Sequence, residues 1–111
     1  MEYQFEKIGD VMKVSLDGRL VAACSGEFKE KVMSHMDDTK NFLIDLSKMS
    51  HIDSSGLGVL VGLLQTATAA GGTVKLACLQ NRPRIVFDIT KVYRVFEIYD
   101  NVNSALESFK S

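Results

Sequence analysis

The spacing of hydrophobic and polar residues along this chain changes from a period of two to a period of about four. On either side of residues 9–10 hydrophobic and polar positions alternate, which is typical of two antiparallel strands joined by a tight turn. Further on, Phe28, Val32 and Met36 recur every four residues, as on the buried face of an amphipathic helix. The pattern therefore predicts a β-hairpin followed by a helix over residues 23–36.

The remainder of the chain alternates between short apolar runs and helix-like segments. The apolar runs are bounded by polar or glycine-containing turns, as expected of strands buried inside a sheet. Helices between successive strands favour parallel crossovers, so we predict an α/β fold in the order ββαβαβαβα, with a mostly parallel mixed sheet of about five strands and about four helices. After the first helix the predicted strands are residues 41–46, 73–78 and 95–99. The predicted helices are residues 57–70, residues 84–92 with a helix start at residues 81–83, and a terminal segment around 105–109.

The length and net charge of the chain indicate how many domains it has and which partners are not expected. The chain has 111 residues, 46% of them hydrophobic, which suffices for one core but not for two, so we expect a single domain over residues 1–111 and a monomer. The formal charge is −1 and the basic residues are not clustered, so nucleic acid is not expected as a partner. No apolar run approaches the roughly 20 residues of a membrane span, and the first residues lack a secretory signal, so we expect a cytoplasmic protein with no membrane partner.

Residues that could ligate a metal are scattered along the chain. His35 and His51 belong to no set at metal-ligand spacing, and Cys24 and Cys78 do not form a C-x-x-C pair. We expect no metal site and no bound cofactor, and we expect both cysteines to be buried, unpaired thiols.

The predicted helix at residues 57–70 has no charged residue and contains interior glycines. Each interior glycine costs about 1 kcal/mol of helix stability relative to alanine, so Gly58 and Gly62 need a compensating reason. One interpretation is close packing within the fold, and the other is a shallow groove that a partner protein covers. On a helical wheel the core side carries Leu57, Leu60, Val61, Leu64 and Thr68, and the residues predicted to bind a partner are Gly56, Gly58, Gly62, Gln65 and Ala69.

The junction before this helix carries Asp53, Ser54 and Ser55. Unpaired N–H groups and the positive end of the helix dipole stabilise an anion at such a position, and a phosphoryl group on serine is one such anion. Simple capping of the helix by Asp or Ser fits the same residues equally well. The pattern therefore leaves two interpretations, a phosphorylation switch and a structural cap.

Residues 42–61 read FLIDLSKMSHIDSSGLGVLV, and this segment resembles the anti-sigma factor antagonists, the bacterial family of STAS domains. The similarity extends through Gly71 and Gly72, the helix after Pro83 and the last predicted strand, and so covers nearly the whole chain. The resemblance implies a STAS-like fold and a non-catalytic protein that binds an anti-sigma factor, itself a serine kinase. In its unphosphorylated form such a protein frees the sigma factor and so regulates transcription.

The resemblance also implies roles for individual residues. Ser54 corresponds to the serine that accepts phosphate, Ser55 is the secondary candidate, and Asp53 helps to present the acceptor hydroxyl. A serine phosphatase acting on the phosphorylated form resets the cycle. The sequence departs from the family at residues 21–24, Val-Ala-Ala-Cys, where a more polar stretch is expected.

Other functions are compatible with parts of the pattern. A glycine-rich turn after a strand suggests dinucleotide binding, but the spacing of Gly56, Gly58 and Gly62 does not match G-x-G-x-x-G. A phospho-aspartate receiver using Asp45 or Asp53 lacks the paired acidic residues of a Mg²⁺ site. A small nucleotide-binding STAS domain or a scaffold subunit of a stress complex remains the alternative to the anti-sigma factor antagonist.

Overall fold

The computed structural model describes residues 1–110 and begins with the predicted hairpin. Strand β1 (Glu2–Ile8) pairs antiparallel with β2 (Val11–Leu20), and Gly9 closes the turn at φ +60°, a backbone conformation that glycine adopts without a steric penalty. Tyr3 and Phe5 alternate with exposed polar residues on β1, so one face of the hairpin packs against the core.

Helices and strands alternate through the remaining residues. The sheet order is β1-β2-β3-β4-β5, and every pairing after the hairpin is parallel. This confirms the predicted α/β fold, its element order and its mostly parallel mixed sheet. The elements are α1 (Ala22–Met33), β3 (Asn41–Ile52), α2 (Ser54–Ala69), β4 (Thr73–Ala77), α3 (Asn81–Thr90), a 3-10 turn (Val92–Arg94), β5 (Ile98–Tyr99) and α4 (Val102–Ser108).

Successive residues of the central strand point to opposite sides of the sheet and so belong to two different cores. Phe42 and Ile44 pack with α1, α2 and α3 in the larger core, whereas Leu43 packs with Ala105 of α4 in the smaller one. All four of these side chains are fully buried. The sheet therefore lies between three helices on one face and the terminal helix on the other.

Strand β3 is longer than predicted. It runs six residues past Leu46, because Lys48 to Ile52 continue to pair with the end of β2. Two irregularities in the β2–β3 register accommodate this extension, one of them beside Gly18 at φ +112°. The polar residues of this segment are typical of a loop, but Met49 and Ile52 are buried. The segment therefore continues along the sheet as a strand until α2 begins.

Other predicted boundaries were wrong by a few residues. Helix α1 ends at Met33 rather than Met36. Helix α3 begins at Asn81, within the predicted start at residues 81–83, but ends at Thr90 rather than Val92, because Lys91 adopts a left-handed conformation. Strand β5 contains two residues instead of five. Cys24 and Cys78 are free thiols, as predicted, but they are half-buried rather than buried.

No helix within residues 1–110 is long and apolar enough to cross a membrane.

Candidate functional site

The end of β3 delivers Asp53 to the start of α2 in an extended conformation. Its Oδ1 accepts a hydrogen bond from the N–H of Gly56 at 2.9 Å, and its carbonyl oxygen accepts the N–H of Leu57 at 3.0 Å. This is the geometry of an N-cap residue, whose side chain satisfies one of the backbone donors that a helix leaves unpaired at its start.

The second carboxylate oxygen of Asp53 caps a different helix. Oδ2 accepts the N–H of Ala22 at 3.0 Å, and Ala22 is the first residue of α1. The N-cap of α1 is Val21, whose side chain makes no capping hydrogen bond, so Asp53 supplies the missing acceptor from the end of the neighbouring strand. One carboxylate therefore holds the starts of α1 and α2 together.

These two N–H groups keep the carboxylate of Asp53 ionised. The hydrogen bond from Gly56, followed by that from Ala22, lowers the pKa of Asp53 below its ordinary value, because both favour the charged form. The positive ends of two helices converge on this one negative charge.

Ser54 and Ser55 are the first two residues of α2, and both are exposed. Neither hydroxyl makes a hydrogen bond to another group within residues 1–110. The carboxylate of Asp53 bonds to backbone N–H groups and not to the Ser54 hydroxyl, so its support of Ser54 acts through the backbone.

Four of the residues predicted to bind a partner follow the serines along α2. Gly58, Gln65 and Ala69 are exposed, and a methyl group placed on Gly58 would meet nothing within 4 Å. Gly62 is half-buried, and the Nζ of Lys29 on α1 lies 3.3 Å from the place where its Cβ would be. We call these four residues, Gly58, Gly62, Gln65 and Ala69, the small-residue face.

Gly56 does not belong to this face, and its prediction as a partner contact is corrected by its burial. A Cβ at this position would collide with the carbonyl oxygen of Leu20 and crowd the side chain of Ile52. Gly56 therefore allows α2 to approach the end of β2, which is the internal-packing interpretation of a helical glycine.

The predicted core side of α2 was also partly wrong. Leu57 and Leu60 are buried as predicted, and Val61 and Leu64 are half-buried and pack against the core, but Thr68 is exposed. The residues that complete the buried side are Val59, Leu63 and Ala67.

Sequence reasoning missed two neighbours of the site. Ala22 contributes through its backbone N–H, which no side-chain pattern reveals, and Arg82 of α3 lies beside His51, two residues before Asp53. The Nη1 of Arg82 lies 3.5 Å from Nε2 of His51, which is exposed on the extension of β3. Only the pairing of distant strands brings these groups together.

No group of three or more His, Cys, Asp or Glu side chains that could hold a metal ion occurs among residues 1–110.

The sequence and the fold are both similar to those of known proteins. The anti-sigma-B factor antagonist of Bacillus subtilis is 30% identical over 87 residues, which cover 78% of this chain and 80% of that protein. A relative from Thermotoga neapolitana is 38% identical over 65 residues, and this match covers 59% of the chain and 58% of that relative.

Among solved structures, the anti-sigma factor antagonist SpoIIAA in its unphosphorylated form superimposes with a TM-score of 0.76 at 16% identity, covering 99% of each chain. SpoIIAA from Bacillus has also been solved in its phosphorylated form, with a TM-score of 0.76 at 18% identity, covering 97% of this chain and 99% of that one. At these identities the structures establish a shared fold alone. The family model of the STAS domain matches residues 2–105, and the protein therefore belongs to the STAS domain family.

Proposed function

We propose that this protein is an anti-sigma factor antagonist whose binding is switched off by phosphorylation of Ser54. The unphosphorylated form binds an anti-sigma factor that is also a serine kinase, and so frees the sigma factor for transcription. A serine phosphatase restores the binding form. The protein acts by binding and release rather than by catalysis.

The observation that carries this proposal is the exposed hydroxyl of Ser54 on a rigidly held helix start. A kinase must reach the acceptor oxygen and find it in a defined place. The hydroxyl is free of hydrogen bonds within residues 1–110, and the carboxylate of Asp53 fixes the backbone on which it sits by bonding to both helices. The capping interpretation of this junction is satisfied by Asp53, which leaves both serine hydroxyls available.

The charge of the surroundings explains how a phosphoryl group would prevent binding. No charged residue lies between Asp53 and Val74, so α2 contributes no charge of its own, although the Nζ of Lys29 on α1 lies beside Gly62. Phosphorylation adds a charge of about −1.5 to −2 beside the carboxylate of Asp53. A partner that fits the unmodified surface must then bury this added negative charge without a cation of its own to match it, which costs more than the few kcal/mol that separate tight from weak binding.

The small-residue face is the surface that the partner would contact. Its exposed members, Gly58, Gln65 and Ala69, lie on the helix that begins with Ser54, and they allow another protein to approach the helix backbone closely. A phosphoryl group on Ser54 would stand at one end of this face, so modification and binding would compete for the same surface.

The first test is phosphoryl transfer, measured by intact mass after incubation with an anti-sigma factor kinase and ATP. We expect one added phosphoryl group on the wild type and on Ser55→Ala, and none on Ser54→Ala. Ser55→Ala is the matched control, since it removes a neighbouring exposed hydroxyl from the same turn of the same helix. Equal labelling of Ser54→Ala would contradict the assignment of Ser54.

The second test is binding, measured by calorimetry with the anti-sigma factor and protein carrying phosphoserine at position 54. We expect an affinity at least tenfold lower than that of the unmodified protein, because the phosphoryl group adds negative charge to a helix that carries no charged residue. Gln65→Lys should also weaken binding, whereas Gln4→Lys, on β1 outside this surface, should not. Unchanged affinity of the phosphorylated protein would contradict the switch.

A further inference from the structure

Exposed apolar side chains are concentrated in one short segment outside the site described above. Of the five large hydrophobic side chains that are exposed within residues 1–110, four lie between positions 85 and 95. Ile89 is the most exposed of them at 75%, followed by Ile85 at 58%. We call this set, which comprises Ile85, Ile89, Tyr93 and Val95, the α3 apolar surface.

The fold itself does not use this surface. Helix α3 packs against the sheet through Pro83 and Phe87, which are buried. Residues two positions apart on a helix point in nearly opposite directions, so Ile85 and Ile89 face away from the core, one helical turn from each other. A pair of isoleucines on the outer side of a helix has no role in packing that helix, and such exposed apolar clusters mark interaction surfaces.

Unpaired positive charges surround the α3 apolar surface. Residues 81–95 contain four basic residues and one acidic residue, a formal charge of +3 in a chain whose total is −1. Arg82, Lys91 and Arg94 are exposed, and none of them forms an ion pair within residues 1–110. The segment is therefore both apolar and cationic.

We propose that the α3 apolar surface binds an amphipathic helix of another protein, with apolar residues on one side and glutamate or aspartate on its flanks. The apolar side would cover Ile85 and Ile89, as when two amphipathic helices pack side by side, and the acidic flanks would pair with Arg82, Lys91 and Arg94. This contact is separate from the phosphorylation of Ser54 and does not rest on it.

The charge of the segment favours an acidic helix over a second copy of the chain and over an anionic membrane. A second copy of the chain would bring two segments of charge +3 together, which disfavours self-association through this surface. An anionic membrane would attract the basic residues, but Asp88 is exposed, lies about 60° from Ile85 around the helix on the side away from Ile89, and would be placed at the lipid surface. A helix can place its acidic residues beside the basic ones and leave Asp88 uncovered.

The probe is a synthetic acidic helix of about 15 residues with leucines on one face and glutamates on both flanks. Binding to the full chain is measured by calorimetry and mapped by amide chemical-shift changes. We expect saturable binding, shifts confined to residues 82–95 and their neighbours, and an affinity that falls at 0.5 M salt, where charges are screened (about 4 Å Debye length). A peptide with lysine in place of every glutamate should not bind.

The matched pair of variants is Ile89→Ser and Met33→Ser, since Met33 is the fifth exposed large hydrophobic and lies on α1. We expect Ile89→Ser to weaken peptide binding about tenfold and Met33→Ser to leave it unchanged. The proposal would be overturned if the lysine peptide bound as well as the acidic one, or if the chemical-shift changes lay outside this surface. It would also be overturned if the chain formed dimers that Ile89→Ser dissociates, or if it bound phosphatidylserine vesicles but not the acidic peptide.

Discussion

The carboxylate of Asp53 accepts backbone hydrogen bonds from Gly56 at 2.9 Å and Ala22 at 3.0 Å. Both donors lie in the first turn of a helix, where the N–H groups have no partner within the helix. An acidic residue before a helix is visible in the sequence, but its second partner is not. The two bonds give this single side chain a structural role in α1 as well as in α2.

Asp53→Asn is expected to lower the melting temperature at pH 7 by roughly 4–8 °C, the usual consequence of losing a helix cap in a small domain. An amide has one acceptor oxygen, so it can satisfy the N–H of Gly56 or that of Ala22 but not both. The measurement is thermal unfolding followed by circular dichroism, with Asp17→Asn, an exposed strand position, as the control. An unchanged melting temperature would show that the double cap contributes nothing to stability.

The same residue predicts a pH dependence. The pKa of Asp53 is lowered in the folded state, so the unfolded chain binds more protons at acidic pH and stability rises with pH in that range. This contribution is complete above the unfolded value of about 3.9 and disappears as pH falls through the lower folded value. We expect the gap in melting temperature between wild type and Asp53→Asn to shrink between pH 5 and about pH 2. A gap independent of pH would contradict this assignment.

Gly56 and Gly58 lie two residues apart on α2, but a side chain would meet different surroundings at the two positions. Gly56→Ala would press a methyl group against the backbone of Leu20, which cannot move cheaply, and should destabilise the fold by about 1–3 kcal/mol. Gly58→Ala meets open space and should stabilise the fold by about 0.5–1 kcal/mol. Chemical unfolding measures both variants. Similar effects of the two substitutions would contradict the difference in packing.

At the scale of whole elements, the terminal helix α4 is held to the outer face of the sheet by a buried cation. The Nζ of Lys75 donates a hydrogen bond to Oγ of Ser108 at 2.9 Å and lies 4.6 Å from the ring centre of Phe109. Its ion pair with Glu97, at 3.8 Å, contributes little because that carboxylate is exposed. The stem of Lys75 and the cation over the ring therefore hold α4 in place.

Lys75→Ala is expected to loosen α4 without loosening α2, since α2 lies on the other face of the sheet. Amide hydrogen exchange of residues 102–108 should become about tenfold faster, while exchange in α2 stays unchanged. Lys75→Met keeps most of the apolar stem and should give exchange closer to that of the wild type. If methionine behaved like alanine, the ammonium group rather than the stem would hold the helix.

For the whole molecule, phosphorylation of Ser54 should change binding and leave the fold intact. The start of α2 stabilises a nearby anion by about 0.3–1 kcal/mol, and the repulsion from Asp53 opposes this gain. Ser54 is exposed, so the phosphoryl group displaces no packed side chain. The unphosphorylated and phosphorylated forms of SpoIIAA both share this fold, with a TM-score of 0.76 in each case.

We therefore expect the phosphorylated protein to melt within about 5 °C of the unmodified protein, and its backbone amide shifts to change only near the starts of α1 and α2. The measurement is thermal unfolding and amide spectroscopy on the same sample used for binding. Shifts spread across the sheet would mean that release depends on a rearrangement of the fold instead of on charge.

Local periodicity determined most of the architecture. Residues on the buried face recur every two positions in a strand and about every four in a helix. The alternation at the hairpin and the spacing of Phe28 and Val32 follow these periods, so both elements could be predicted from the sequence. The polar end of β3 could not be predicted in this way, because Lys48 and His51 remain in a strand only by pairing with β2. Gly56 was misassigned for a related reason, since its neighbour Leu20 is remote along the chain.

The sequence by itself determined the order of elements and the family, because these depend on residue types and their spacing, and it predicts Ser54 as the phosphorylation site. Only the tertiary structure decided that Asp53 bonds to two helices, that Gly56 is buried while Gly58 is open, and that exposed isoleucines lie within a cationic segment. Hydrogen bonds and close contacts depend on which distant segments lie side by side in the fold. Here the pairing of β2 with β3 brings the start of α1 next to the start of α2.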